Sequence, residues 1–149
     1  MLRIIIFELL QLAVSCFAIR RGGAPERAVG WMLLVAAVTS LAIGIPANAF
    51  RGLSLPHFSI DVLLFGGLLG IAARANRFWP YWMAALELLA IGVHGARMVD
   101  PSLVPIVYSR MIGQVAYPMC FVLAVGTYHY LRRTRIEGVA PRPWSPLKW

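Results

Sequence analysis

Charged residues are scarce in this chain, and acidic residues are the scarcer kind. Only 13% of the 149 residues are charged, with six Asp and Glu against 14 Lys and Arg. Soluble domains contain about 25% charged residues, so this composition excludes an ordinary soluble fold. The 60% share of hydrophobic residues and the mean hydropathy of +0.72 point the same way. The sequence therefore predicts an integral membrane protein.

Recognisable catalytic and metal-binding patterns are also lacking. The chain contains no GxSxG, HExxH or phosphate-binding glycine-rich loop, and no carboxylate-rich magnesium motif. Its two cysteines, Cys16 and Cys120, lie in apolar segments without metal-ligand spacing, which is typical of packing. We therefore expect a protein that is not an enzyme and that requires no cofactor or metal. A membrane enzyme using Glu87, His94 and Arg97 is the weaker alternative.

What the chain does contain is five long apolar segments. A bilayer core requires about 20 helical residues, and each segment is near that length, although the third is short and the fifth long. The predicted fold class is all-α, a polytopic transmembrane helix bundle with five spans, or four if the third segment is re-entrant. The expected spans are Leu2 to Ile19, Ala28 to Phe50, Ile60 to Ala75, Phe78 to Val99 and Leu103 to Leu131.

The basic residues predict the orientation of these spans. With five spans, ten Lys and Arg residues fall on one face and three, Arg3, Arg51 and Arg97, on the other. Because cytoplasmic loops are enriched in Lys and Arg, the N-terminus is expected outside and the C-terminus in the cytoplasm, in the inner membrane. The net charge of +8 is therefore explained by basic residues that orient the spans, and nucleic acid is not an expected partner. The ten residues are Arg20, Arg21, Arg27, Arg74, Arg77, Arg132, Arg133, Arg135, Arg142 and Lys148.

The composition changes abruptly after the fifth segment. We expect residues 1–131 to form the bundle and residues 132–149 to form a basic, proline-rich cytoplasmic tail. Such a tail cannot bury a hydrophobic core and is expected to be extended or disordered. Its first basic residues suit contact with the anionic surface of the cytoplasmic leaflet. These residues are Arg132, Arg133 and Arg135.

A cation in the fifth apolar segment, Arg110, requires compensation, because an unpaired charge at that depth costs several kcal/mol. Helical rise places polar residues in two layers, about 8 to 10 Å and about 13 to 18 Å below the outer helix ends. Glu8, His94 and Arg110 form the first layer, and Gln11, Glu87 and Gln114 form the second. The sequence therefore predicts one buried polar cluster of these six residues, in which Glu8 or Glu87 compensates Arg110.

Small residues in the third segment predict a helix-packing face. Gly66 and Gly70 form a GxxxG pattern, and small residues at this spacing allow helix backbones to approach closely. The expected contacts are the lipid bilayer together with a protein partner or a second copy of the chain.

Two functions stay open on this basis. The first is a small, non-catalytic accessory or assembly subunit that packs against partner helices, with the buried cluster fixing helix register. The alternative is a small oligomeric transporter or channel, proton-coupled through Glu8 or Glu87, because ionisable residues inside a membrane are candidates for function. A phage-type membrane-permeabilising protein is a third, weaker possibility that depends only on size, spans and a basic tail.

Overall fold

The structure is a computed structural model that describes residues 2–44, 54–99 and 105–138. Within these ranges, the side chains at positions 2–4, 97, 105–113 and 137 lie outside the description. The described residues form five helices and no strand. The helices are α1 (Leu2–Arg21), α2 (Ala24–Ile43), α3 (Leu55–Arg74), α4 (Trp79–Val99) and α5 (Pro105–Glu137). The all-α prediction is confirmed, and the third segment is one continuous helix of 20 residues.

Helix α2 lies nearer the N-terminus than predicted at both of its ends. It begins at Ala24 rather than Ala28, with Pro25 in the first turn, where a missing N–H costs no helical hydrogen bond. Glu26 also lies in this turn, where the helix dipole favours negative charge. The helix ends at Ile43 because Gly44 adopts a φ of 71° and donates its N–H to carbonyls of the last turn.

Helix α5 extends beyond the predicted end of the bundle. The sequence predicts a tail from residue 132, but α5 remains helical to Glu137 and Gly138 follows with a φ of 65°. The expectation of an extended chain is therefore wrong for residues 132–137. A basic stretch continues a helix readily because Arg has a high helix propensity and suits the negative C-terminal end of the helix. The later part of the predicted tail, residues 139–149, lies outside the described residues.

The five helices form a closed ring in chain order. Each helix packs against its neighbour in sequence, and α5 closes the ring by packing against α1. The connection between α1 and α2 and that between α3 and α4 are short, which makes each pair antiparallel. Buried apolar side chains from all five helices fill the ring, including Ala18, Val29, Leu68, Met83 and Leu123. Every helix therefore directs one face towards a common interior.

The outer surface of the ring is apolar as well. Large hydrophobic side chains are exposed on every helix, from Leu9 (60%) and Val38 (64%) to Leu63 (76%), Leu89 (55%) and Phe121 (70%). Soluble monomers rarely expose apolar surface on all sides. Helices α2 and α3 are long and apolar enough to cross a bilayer. Among the described residues, no other helix meets the same combined criterion of length, hydropathy and charge.

The predicted packing face on α3 points away from the other described helices. A side chain at Gly66 would meet no atom within 4 Å, and one at Gly70 would meet only Arg74 Nη1, at 3.9 Å. The glycine that packs inside the bundle is Gly67, where an added Cβ would collide with the end of the Met32 side chain on α2. Adjacent helical residues point about 100° apart, so a shift of one position changes the face.

The turn between α1 and α2 gives a test of the packing. A Cβ at Gly22 would lie 2.5 Å from both the Ala18 carbonyl oxygen and Glu26 Cβ, whereas one at Gly92 on α4 would meet nothing within 4 Å. We expect Gly22→Ala to lower the free energy of unfolding by about 1–3 kcal/mol through overpacking. Gly92→Ala should raise it by about 0.5–1 kcal/mol through helix propensity. Thermal unfolding in detergent, followed by circular dichroism, measures both; equal effects would contradict the turn geometry.

Candidate functional site

A cavity of about 220 Å³ lies inside the ring and is lined by residues from all five helices. Three carboxyl groups line it: Glu8 on α1, Asp61 on α3 and Glu87 on α4. Most of the remaining wall is apolar. It includes Leu33, Ala36 and Ala37 from α2 and Val115, Ala116 and Met119 from α5. We call this space the acidic cavity.

Glu87 is the most buried carboxyl group of the acidic cavity, with 4% of its surface exposed. Helical spacing accounts for its position, because Met83, Ala84 and Ala90 lie three or four residues away and are buried on the same side of α4. No described side chain forms a hydrogen bond or an ion pair with it. A buried carboxylate without a partner costs several kcal/mol, so this group has to hold a proton or meet a cation.

Asp61, on the neighbouring helix α3, has a partner. His94 Nε2 lies 2.9 Å from Asp61 Oδ2, an ion pair when the imidazole is protonated and a hydrogen bond when it is neutral. The edge of the His94 ring also packs against Phe58, with 5.9 Å between ring centroids. Sequence reasoning did not include Asp61 in the cluster. The signal was present, because Asp61 lies about 9 Å below the outer end of α3, which is the layer of His94.

The structure brings together part of the predicted cluster. Glu8, Gln11 and Glu87 line the acidic cavity, and Gln11 Nε2 also donates a hydrogen bond to the Leu33 carbonyl oxygen, at 3.0 Å, which connects α1 to α2. His94 joins through Asp61.

The two residues predicted on α5 do not complete the cluster. Gln114 is exposed. The buried face of α5 contains Val115 and Met119, which are four residues apart, and Gln114 lies outside that face. The Arg110 side chain lies outside the described residues, so its pairing with Glu8 or Glu87 stays a prediction.

A second polar group, which the sequence analysis missed, lies at one end of the ring. Glu26 is fully buried at the start of α2, and its Oε1 lies 3.4 Å from Arg77 Nε. The same oxygen accepts a hydrogen bond from Trp79 Nε1 at 3.3 Å, and the Arg77 guanidinium lies 5.2 Å from the centre of the Tyr130 ring. These four residues, the Glu26 cluster, join α2, the α3–α4 connection with the first residue of α4, and α5. The sequence did contain a signal for this group, because Glu26 is the single acidic residue in the otherwise basic segment between the first two predicted spans.

Two glycines allow the Glu26 cluster to close. A Cβ at Gly23 would lie 2.8 Å from Tyr130, and one at Gly126 would lie 3.0 Å from the Trp79 ring. The contacts bring both short connections and the C-terminal part of α5 to the same end of the ring. We call it the basic end, because it holds Arg20, Arg21, Arg27, Arg74, Arg77, Arg132, Arg133 and Arg135.

The Glu26 cluster makes Arg77 more important for stability than its neighbour Arg74, which is exposed. We expect Arg77→Leu to lower the free energy of unfolding by about 3–5 kcal/mol, because it leaves the buried Glu26 carboxylate without its cation. Arg74→Leu, the matched control, should change it by less than about 1 kcal/mol. Adding Glu26→Leu to Arg77→Leu should recover part of the loss. Thermal unfolding in detergent provides the comparison, and similar losses for both arginines would refute the ion pair.

Comparison with known proteins assigns no family. The chain matches no protein-family model, and neither the curated proteins nor the solved structures contain a significant match to it. The acidic cavity and the Glu26 cluster are therefore interpreted from their own geometry.

Proposed function

We propose that this chain is a small inner-membrane protein whose five helices cross the bilayer and whose acidic cavity carries a proton or a small cation across it. The apolar outer surface on all five helices supports the membrane location. The concentration of arginines at the basic end supports a cytoplasmic C-terminus and an outside N-terminus.

The observation that carries the transport function is the missing partner of Glu87. A polar group that serves only to fix helix register finds its partner inside the bundle, as Glu26 does with Arg77 and Asp61 with His94. Glu87 is also buried, more deeply than Asp61, but it faces the acidic cavity without a described partner. A carboxyl group in that setting suits reversible binding of a cation or a proton, which transport requires.

The position of the acidic cavity is consistent with transport. By helical rise, Glu87 lies about 12 Å from Trp79 along α4, and Leu33 lies about 10 Å from Glu26 along α2. The Glu26 cluster therefore lies at the basic end, about 10–12 Å from the residues that line the acidic cavity. For a proton or cation to reach the acidic cavity from the cytoplasm, the contacts of the Glu26 cluster have to open, or a path has to exist beside them. The Glu26 cluster is therefore the gate in this proposal.

An accessory or assembly subunit is the second candidate function. The outward face of α3 favours it, because Gly66 and Gly70 leave open space where the backbone of another helix can approach closely. A second copy of the chain would use the same face, and a transporter of this size would also gain enclosed volume from self-association.

The proposed topology is testable by cysteine labelling. In a background without Cys16 and Cys120, Ser54→Cys lies at the start of α3, at the end of the ring opposite the basic end, and Ser145→Cys follows α5. A membrane-impermeant maleimide added to intact cells should label position 54 and should label position 145 only after permeabilisation. Labelling of both positions in intact cells would contradict the five-span topology.

The proposed transport function predicts that Glu87→Gln abolishes proton flux without affecting assembly. The substitution preserves the shape of the side chain and removes its charge, while Glu8, Asp61 and His94 remain around the acidic cavity. Purified protein in proteoliposomes with an imposed pH gradient and a pH-sensitive dye should show flux for the wild type and background flux for the variant.

The same measurement separates the two candidate functions. Glu137→Gln, in the last turn of α5, makes the identical chemical change at the basic end and should leave flux unchanged. If the wild type moves neither protons nor solutes, and Glu87→Gln still recovers a protein partner in a mild-detergent pull-down, the transport proposal fails and the accessory function stands.

A further inference from the structure

We infer that the acidic cavity binds a small organic cation with an apolar body, such as an alkylammonium, with its positive charge at Glu87. This inference rests on the proposed function, since it names the substrate class of the same cavity. It is carried by the chemistry of the walls, the arrangement of the carboxyl groups and the size of the space.

The charge of the ligand follows from the groups that face it. Among the described residues that line the acidic cavity there is no Lys or Arg, whereas three carboxyl groups are present. Asp61 is compensated by His94, which leaves Glu87 and the partly buried Glu8 without a described cationic partner. Among the described lining residues, the only ionisable groups that an anion would meet are carboxyl groups. A cation would relieve the cost of burying the Glu87 carboxylate, so the site selects positive charge.

The walls distinguish an organic cation from a metal ion. Calcium takes six to eight oxygen ligands and magnesium an octahedral set, usually with several waters. In the described part of the chain, no group of three His, Cys, Asp or Glu residues lies close enough to hold a metal ion. Most of the remaining lining is aliphatic and offers no oxygen ligand. A cation that carries its own hydrocarbon surface satisfies both the carboxylate and the apolar wall.

The dimensions limit the size of the ligand. The volume of about 220 Å³ is below the range of about 300–1,000 Å³ that is usual for pockets of drug-sized molecules. Alanines on three helices, Ala36, Ala90 and Ala116, leave this room because a larger side chain at any of them would occupy it. Phe7 supplies an aromatic ring to the lining, and such a ring attracts alkylammonium groups through its negative face.

Tetraethylammonium is a suitable probe because it combines a permanent charge with a fully apolar surface. Isothermal titration of the full chain in lipid nanodiscs with tetraethylammonium chloride should show saturable binding. Glu87→Gln should weaken that binding about tenfold or more, because it removes the charge partner of the cation. Glu137→Gln, the same chemical change at the basic end, should leave it within about twofold, since position 137 lies well over a turn beyond the cavity.

A second variant and a second salt keep the test decisive. Ala90→Leu, at a buried position of the wall, adds bulk to the acidic cavity without changing any charge and should also remove binding. This variant tests the inference if Glu87→Gln does not fold. Equal binding by the wild type and both variants would overturn the inference, and so would an equal saturable heat from potassium chloride. The outcome is separable from transport. Binding of tetraethylammonium without any flux rejects the transport function alone, and proton flux without such binding rejects the ligand class alone.

Discussion

The compensation of buried carboxyl groups is the constraint on which this structure depends. A ring of apolar helices offers no solvent to a negative charge, so each buried acid requires a partner, a proton or a ligand. Glu26 has Arg77 and the Trp79 indole, and Asp61 has His94. Glu87 has no described partner and faces the acidic cavity instead. The contrast of Glu26 and Asp61, which have partners, with the more exposed Glu8 and the buried Glu87, which have none described, separates structural groups from the candidate site.

The two ends of the ring differ in how their buried carboxyl groups are compensated. At the basic end, the Glu26 cluster joins three parts of the chain that are distant in sequence, and Gly23 and Gly126 allow the aromatic rings to approach the backbone. Towards the opposite end, the contact of Asp61 with His94 connects α3 to α4. In the proposed function, the contacts of the Glu26 cluster keep the acidic cavity closed to the cytoplasm, and access from that side requires them to open.

Both surfaces of the ring contribute to the proposed role. The outside is apolar on every helix, which supports the proposed membrane location, and the glycine face of α3 leaves room for a further helix. The inside is apolar too, apart from the few polar side chains of the acidic cavity. A small number of polar groups surrounded by hydrocarbon interact strongly with one another and with any bound cation, because little solvent screens them.

The sequence by itself determined the features that depend on composition and helical rise. Five apolar segments predict five helices, and counting residues along each helix places Glu8, Gln11 and Glu87 at compatible depths, where the structure has them in one cavity. Depth does not specify rotation about the helix axis. That rotation depends on packing against neighbouring helices, so only the tertiary structure decided that Gln114 is exposed and that Gly67, rather than Gly66, meets α2. The pairing of Glu26 with Arg77, 51 positions apart, likewise depends on how the ring closes, because no local pattern links the first turn of α2 to the connection between α3 and α4.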